Sequence, residues 1–210
     1  MPSYTTKANL DHLYTKIRDV QTDNTTFRRY AKRLMTVVCE EALSYVSPKQ
    51  CVVKTPVDDY EYEGTELDYE NMIAVSIIRA ADSMLDCFCN IVPECSVGKI
   101  LIQRNEETAM PEMFYAKVPA MEGKNIVLLD PMLATGGSAC MAIKSLIEKG
   151  AAEDRITFVC VVSCPEGVDR IMTEYPKVTL ISGKVDGGLT NKKYIYPGLG
   201  DYGDRFFGTN

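Results

Sequence analysis

The spacing of apolar positions changes several times along this chain, and each change marks the passage from a helix to a strand or back. From Asn24, a residue type suited to capping, Phe27, Tyr30, Ala31, Leu34, Met35, Val38, Ala42 and Leu43 recur at the three- and four-residue interval of a helix with one apolar face. Residues 51–57 and the acidic stretch 58–68 read as a hairpin, with Pro56 marking an edge. Residues 72–78 are a continuous apolar run ending at Arg79, and a helix follows over 84–91. A second strand, 97–103, ends at Arg104. The polar stretch 105–123 holds two prolines and only weak alternation, which predicts a mobile arm. Strand 126–129 leads through a turn into a helix over 138–149 that Gly150 is placed to stop. Strand 156–162, a helix opened by Pro165 and running to 174, and strand 178–182 complete the pattern. Strands alternating with helices predict an α/β fold, a mostly parallel central sheet covered on both faces.

Composition narrows the class. A chain of 210 residues, 46% hydrophobic and 25% charged, can bury a sizeable core as one domain. The net charge of -6 offers no broad basic surface, so neither nucleic acid nor an acidic membrane is an expected partner. No apolar stretch approaches a membrane span, and the first ten residues lack an apolar signal core. Eight cysteines without a C-x-x-C pair, several inside apolar runs, read as buried free thiols in a cytoplasmic protein. Asn24-Thr25-Thr26 matches a glycosylation sequon by chance on this reading. The lone histidine, His12, leaves no basis for a histidine-centred triad or metal site.

The chemistry concentrates at residues 126–138. Four apolar residues end on Asp130, and Pro131, Met132, Leu133, Ala134, Thr135, Gly136, Gly137 and Ser138 lead into a helix. Such a turn points backbone N–H groups and hydroxyls into a concavity at the positive end of a helix dipole, where a phosphate fits. The carboxylate upstream lies where hydroxyls of an attached sugar would sit, so the loop reads as a holder for ribose 5-phosphate. Ligands of parallel sheets bind beyond the carboxyl ends of the strands, where Arg79 and Arg104 also stand. Two guanidinium groups there can clamp a diphosphate. Glu106 and Glu107 are adjacent in an extended segment, point apart, and read as solvated surface. Gly198-Leu199-Gly200-Asp201-Tyr202-Gly203 satisfies G-x-G-x-x-G, but only seven residues follow it. That match therefore fails the dinucleotide context, and 194–204 reads as a tight loop exposing its backbone. Without Gly-Lys-Ser/Thr the phosphate loop is no Walker A sequence either.

The run DPMLATGGS (130–138) resembles the phosphoribosyl diphosphate (PRPP) motif of the uracil phosphoribosyltransferases. The ending YIYPGLGDYGDRFFGT is similar to that family's uracil-binding tail, and QRNEET around Arg104 and VSIIRA around Arg79 match as well. The likeness runs from about Thr15 to the C-terminus. It implies a type I phosphoribosyltransferase fold with a β-arm in one domain, 1–210: N-terminal helices and a hairpin over 1–70, the core sheet over 71–185, and a uracil-binding tail, the base-binding hood, over 186–210. It implies the reaction uracil + PRPP → UMP + diphosphate, with Mg²⁺ carried on the PRPP. Arg79 and Arg104 would hold the diphosphate, Asp130 the ribose hydroxyls, and 131–138 the remainder of PRPP. Uracil would lie against the main chain of Ile195, Gly200 and Tyr202, with Asp201 reaching toward PRPP. Arg104 and Asp201 are the expected catalytic residues. Backbone donors and acceptors suit uracil, while cytosine would leave buried groups unpaired at about 1–3 kcal/mol each. The resemblance further implies a homodimer or homotetramer, with GTP as an activator of some members.

Two departures bear on the site. Bacterial relatives have Arg-Ala-Gly after the first core strand, whereas Ala80 here is followed by Ala81 and Asp82, so a positive φ at 81 would be strained. Tyr202 replaces a small residue, and its ring is expected over the base edge, excluding 5-substituted pyrimidines. A non-catalytic PRPP or nucleotide sensor of the same fold is the alternative, against which the intact arginines and phosphate loop argue. A transferase for orotate or a purine is a third reading. Orotate needs a cation at its carboxylate, and 195–202 supplies none before Arg205.

Overall fold

Strands β3 (Met72–Ile78), β6 (Asn125–Leu129) and β8 (Ile156–Ser163) are apolar along nearly their whole length because both of their faces are covered. The computed structural model describes residues 9–104 and 111–209, with Arg104 described by its backbone alone. Before β3 come α1 (Leu10–Arg18), α2 (Asn24–Leu43) and the hairpin β1 (Lys49–Lys54) and β2 (Glu61–Glu66). Between and after the core strands lie α3 (Asp82–Ile91), β4 (Ser96–Arg104), β5 (Pro111–Lys117), β7 (Met132–Leu133), α4 (Gly137–Glu148), α5 (Pro165–Glu174) and β9 (Thr179–Val185). The tail adds β10 (Gly188–Leu189), β11 (Ile195–Tyr196) and α6 (Tyr202–Phe207). The main sheet runs β5-β4-β3-β6-β8-β9, with short β7 also on β8. Every pairing is parallel except that of β5 with β4.

Period-2 alternation divides the sheet between two cores. Met72, Ala74, Val127, Leu129, Val159 and Val161 face one, which α1, α2, α3 and α6 close with Ile17, Phe27, Leu34, Phe88 and Phe206. Ile73, Val75, Ile126, Leu128, Ile156 and Phe158 face the other, closed by Ile143 and Leu146 of α4 and Ile171 of α5. The apolar stripe of α2 thus faces the core, not a partner. Asp23, not Asn24, caps α2, its carboxylate accepting from Thr26 N–H at 2.8 Å. Asn24 instead donates to the Arg205 and Phe206 carbonyls at the end of α6, at 2.6 and 2.9 Å.

Two expectations need correction. Part of the polar stretch 105–123 is strand β5, an antiparallel edge on β4, followed by buried Met121. One strand flank is open to solvent, so Phe114 and Tyr115 stay exposed and the alternation that would have announced it is lost. Residues 105–110, Glu106 and Glu107 among them, lie outside the described residues. The expected loop 194–204 contains β11 and the start of α6. All eight cysteines are free. Burial pushes the Cys160 thiol up to about 12 and the Cys140 thiol up to about 11, so neither is a nucleophile at neutral pH.

The tail is anchored in the first core by Ile195, Leu199, Tyr202 and Phe206, and charge fixes its backbone. Arg18 at the end of α1 makes a two-pronged contact with Asp186 at 2.7 and 2.6 Å and donates to the Gly198 carbonyl at 2.6 Å. Asp186, whose side chain is only 3% exposed, also accepts from Gly198 N–H at 3.0 Å. Gly198 sits at φ 58°, and a Cβ there would lie 2.1 Å from the Ile195 carbonyl oxygen. Arg205 completes the clamp: it donates to the carbonyls of Ile17, Leu199 and Asp19 and lies 4.5 Å over the Phe27 ring. Removing one member of such a pair leaves a charge stranded in the interior. Asp186→Ala is expected to cost about 3 kcal/mol of stability, measured as a lower urea midpoint, with cleavage in limited proteolysis appearing first between 186 and 205.

Candidate active site

Strand β6 delivers Asp130 to the carboxyl edge of the sheet, where its N–H is held by the Val159 carbonyl at 3.1 Å. One carboxylate oxygen accepts from Met132 N–H at 3.3 Å, so the side chain folds over the loop that follows. The Pro131 carbonyl accepts from both Val161 and Val162 N–H, at 3.0 and 3.1 Å, which fastens the loop to β8. The carbonyls of Leu133 and Ala134 are drawn away from the loop's inner face by Cys164, through its N–H at 3.2 Å to the first and its Sγ at 3.1 Å to the second. Gly167 of α5 packs so tightly that a Cβ would meet the Ala134 oxygen at 2.5 Å. Gly136, at φ 74°, precedes α4 with no side-chain cap, and Gly137 N–H makes only a long contact, 3.4 Å, with the Thr135 hydroxyl, so the first turn suits an anion. A concavity of about 40 Å³, phosphate-sized, is lined by Asp130, Leu133, Gly136, Gly137, Ser138 and Ala139.

A second cavity, of about 570 Å³, opens beside the first, and Met132 and Ala134 border both. Its far wall is the tail: Ile195, Gly200, Asp201, Tyr202 and Gly203, with Ala80 below and Lys192, Lys193 and Tyr194 on the rim. Asp201 caps α6, accepting from Asp204 N–H at 2.9 Å. Arg79, reached through a cis Ile78–Arg79 peptide, stands beside Gly203 at this cavity's edge. It pairs with Asp204 at 2.6 Å, donates to the Thr209 hydroxyl at 2.9 Å and lies over the Phe207 ring. The guanidinium first, and the Thr209 hydroxyl after it, hold the Asp204 carboxyl below its ordinary value. Arg104 ends β4 with its backbone paired to Pro111, and its side chain lies outside the described residues.

These two linked concavities sit in a chain whose residues 4–209 match the model of the family described as "Uracil phosphoribosyltransferase". The chain belongs to the uracil phosphoribosyltransferase family. A curated uracil phosphoribosyltransferase of Dictyostelium discoideum is 40% identical over 201 residues, covering 95% of this chain and 92% of that protein. Among solved structures, that of the AQ2163 protein from Aquifex aeolicus superposes with a TM-score of 0.86 at 32% identity, covering 100% of this chain and 99% of that one. A hypoxanthine-guanine phosphoribosyltransferase from Bacillus anthracis, at 9% identity, covers 78% of this chain and 80% of its own with a TM-score of 0.50, which supports the shared fold class alone.

Within this uracil phosphoribosyltransferase, two expectations about single residues fail. The Tyr202 ring does not lie over the cavity. It is 2% exposed, set edge-on to Phe27 at 5.4 Å and stacked with Phe206 at 5.8 Å, and its hydroxyl donates to Met35 Sδ at 3.1 Å. Tyr202 borders the second cavity while its ring packs into the core. Alternation at the start of α6 turns that ring inward, where an aromatic pocket between α2 and α3 receives it. Burial accordingly pushes the Tyr202 hydroxyl far above its ordinary value. Ala81 is not strained either: it adopts φ -70°, ψ -13° and is fully buried at the start of α3. The extra charge of Asp82 is taken up by Lys99 at 3.0 Å and the Ser76 hydroxyl at 2.8 Å.

The cavity also contains residues that motif reading passed over. Lys192 and Lys193 supply the cations that 195–202 lacks, from a turn just upstream. Their one visible signal was a Lys-Lys pair ahead of the tail in an acidic chain. His12 is exposed on α1, edge-on to Tyr30 at 5.6 Å, away from both concavities. Because the Tyr202 ring is a core element, Tyr202→Phe is expected to leave the ratio of kcat/KM for uracil and thymine unchanged within about twofold. Tyr202→Ala should lower stability by about 3–5 kcal/mol, read by thermal or urea unfolding.

Proposed function

We propose that this cavity pair transfers the phosphoribosyl group of PRPP, arriving with Mg²⁺, to N1 of uracil, giving UMP and diphosphate. The observation that carries the reading is the shared border of the two concavities at Met132 and Ala134. A sugar phosphate seated in the smaller one directs its anomeric carbon into the larger one. The 5-phosphate rests on the amides of 134–138, with Pro131, Met132 and Leu133 shaping the approach, and Asp130 takes the ribose hydroxyls. Arg79 and Arg104 take the diphosphate, with Mg²⁺ sharing its charge.

As the C1–diphosphate bond lengthens, positive charge builds on the ribose, and Asp201 and Asp130 face it from the two sides of the cavity. Uracil lies on the backbone of Ile195, Gly200 and Tyr202, whose fixed donors and acceptors set the choice of base. Fixing both reactants in line supplies much of the rate. In the assignment of roles, Arg104 and Asp201 make the catalytic contacts. No observed feature favours a non-catalytic sensor.

Incubation with labelled uracil, PRPP and Mg²⁺ is expected to yield labelled UMP, and absence of uracil consumption defeats the assignment. Arg79→Ala should lower kcat/KM for PRPP by about 100-fold, the loss of one two-pronged guanidinium–phosphate contact.

We further place the enzyme in the cytosol as a homodimer or homotetramer. No helix among the described residues is long and apolar enough to cross a membrane. The β1–β2 hairpin is a separate two-stranded sheet exposing Val52, Val53, Tyr60 and Tyr62, and such a ribbon alone is marginally stable in water. Val52→Asp with Tyr62→Asp is expected to shift the species seen by light scattering toward monomer. Activation by GTP belongs to the same proposal and is read by assaying with and without it.

A further inference from the structure

Attack by uracil on PRPP releases the proton of N1, and the described residues around the cavity are poorly suited to take it. Pro131 occupies the position beside Asp130 where a second acid would stand. The carboxylate of Asp201 is engaged by Asp204 N–H at 2.9 Å. Glu166, on the neighbouring α5, accepts from Leu189 N–H at 3.0 Å, and backbone donors, its own N–H first, hold its carboxyl below the ordinary value. The one histidine lies elsewhere, on α1.

What the rim offers is positive charge. Lys192 and Lys193 line the cavity next to Tyr194 and Ile195. Among the described residues, neither ammonium has an ion-pair partner within 4.0 Å, in a chain whose net charge is -6. The backbone of Lys193 is left-handed, φ 64°, locked by its N–H to the Thr190 carbonyl and by Thr190 N–H to the Tyr194 carbonyl, both at 2.8 Å. Glycine or asparagine adopts that conformation more readily than lysine, so the turn keeps a long cationic side chain where the backbone favours none. Near this rim, Asp201 lines the same cavity, Arg79 from the end of β3 pairs with Asp204 of the tail beside Gly203, and Glu166 of α5 lies within the reach of Lys193's charge.

We propose that Lys192 and Lys193 stabilise the N1-deprotonated form of the bound pyrimidine, so that the ring nitrogen attacks as an anion without a general base. This rests on the uracil phosphoribosyltransferase reading of the cavity. The N1 proton passes to solvent, the freed electron pair forms the N1–C1 bond, and the C1–O bond breaks with its pair leaving on diphosphate. The two lysines are electrostatic positioning residues for the nucleophile, not carriers of the proton.

The test compares uracil with 5-fluorouracil, whose electron-withdrawing substituent makes N1–H more acidic, in the wild type and in Lys192→Gln/Lys193→Gly. Glycine at 193 suits the left-handed turn, so the variant keeps its fold, checked by circular dichroism. With the cations removed, kcat/KM for uracil is expected to fall by about 10- to 100-fold and that for 5-fluorouracil by less than about threefold. A cation that favours the anion lowers the pH at which uracil loses its proton, so its removal should move the alkaline rise of the uracil rate to higher pH. Lys192→Arg/Lys193→Arg should restore both. Equal losses for the two bases, or a loss confined to the KM for PRPP, overturn the proposal, because either would assign the charge to the sugar phosphate. A wild-type enzyme inert toward both bases would instead defeat the parent reading, before any variant is made.

Discussion

The buried pairing of Arg18 with Asp186, shared with both backbone groups of Gly198, is the constraint on which the assembled site depends. The sheet alone makes a phosphate cradle and stops there. The opposite wall comes from the glycine-rich tail, which buries Ile195, Leu199, Tyr202 and Phe206 but needs polar ties to set its backbone. Two guanidinium groups supply them: Arg18 at the end of α1 donates to the Gly198 carbonyl, and Arg205 of the tail donates back to the Ile17 and Asp19 carbonyls, across 180 to 188 residues of sequence. Such ties are directional, and they fix the loop's backbone where burial would only have fixed its depth.

The phosphate side is organised by a different rule. Its loop is fixed through its carbonyls, those of Pro131, Leu133 and Ala134 accepting from Val161, Val162 and Cys164. Arg79 links the two halves of the site, since its guanidinium rises from the end of β3 and rests on Asp204 and Thr209 of the tail. The edge of the sheet and the tail therefore share one side chain, so a new partner for Arg79 at either would be felt at the other.

Much of this was legible in the residues. The apolar runs of β3, β6 and β8 were readable because burial on both faces removes polar positions, and the Asp130–Ser138 turn was readable because its chemistry is local. Edge strand β5 was hidden by solvent on its open flank, which lets Phe114 and Tyr115 stay exposed. The orientation of Tyr202 was illegible for another reason: in a six-residue helix, one step of register decides between the cavity and the core, and the deciding pocket is built by Met35 and Ser83, more than a hundred residues away. Lys192 and Lys193 escaped notice because a lysine pair carries no motif, and only the fold brings that turn to the rim.

Gly167 has a consequence for how this site can change. Helix α5 supplies none of the groups assigned to PRPP or to uracil, yet its backbone lies against the Ala134 carbonyl with no room for a single methyl group. The cradle's contour is thus cast by a neighbour that does no chemistry, as a die shapes a part it never joins. The exposed Arg170 of α5 lies along Gly136 and Gly137 as well, and one added carbon at Gly167 would press the loop inward and narrow the cradle.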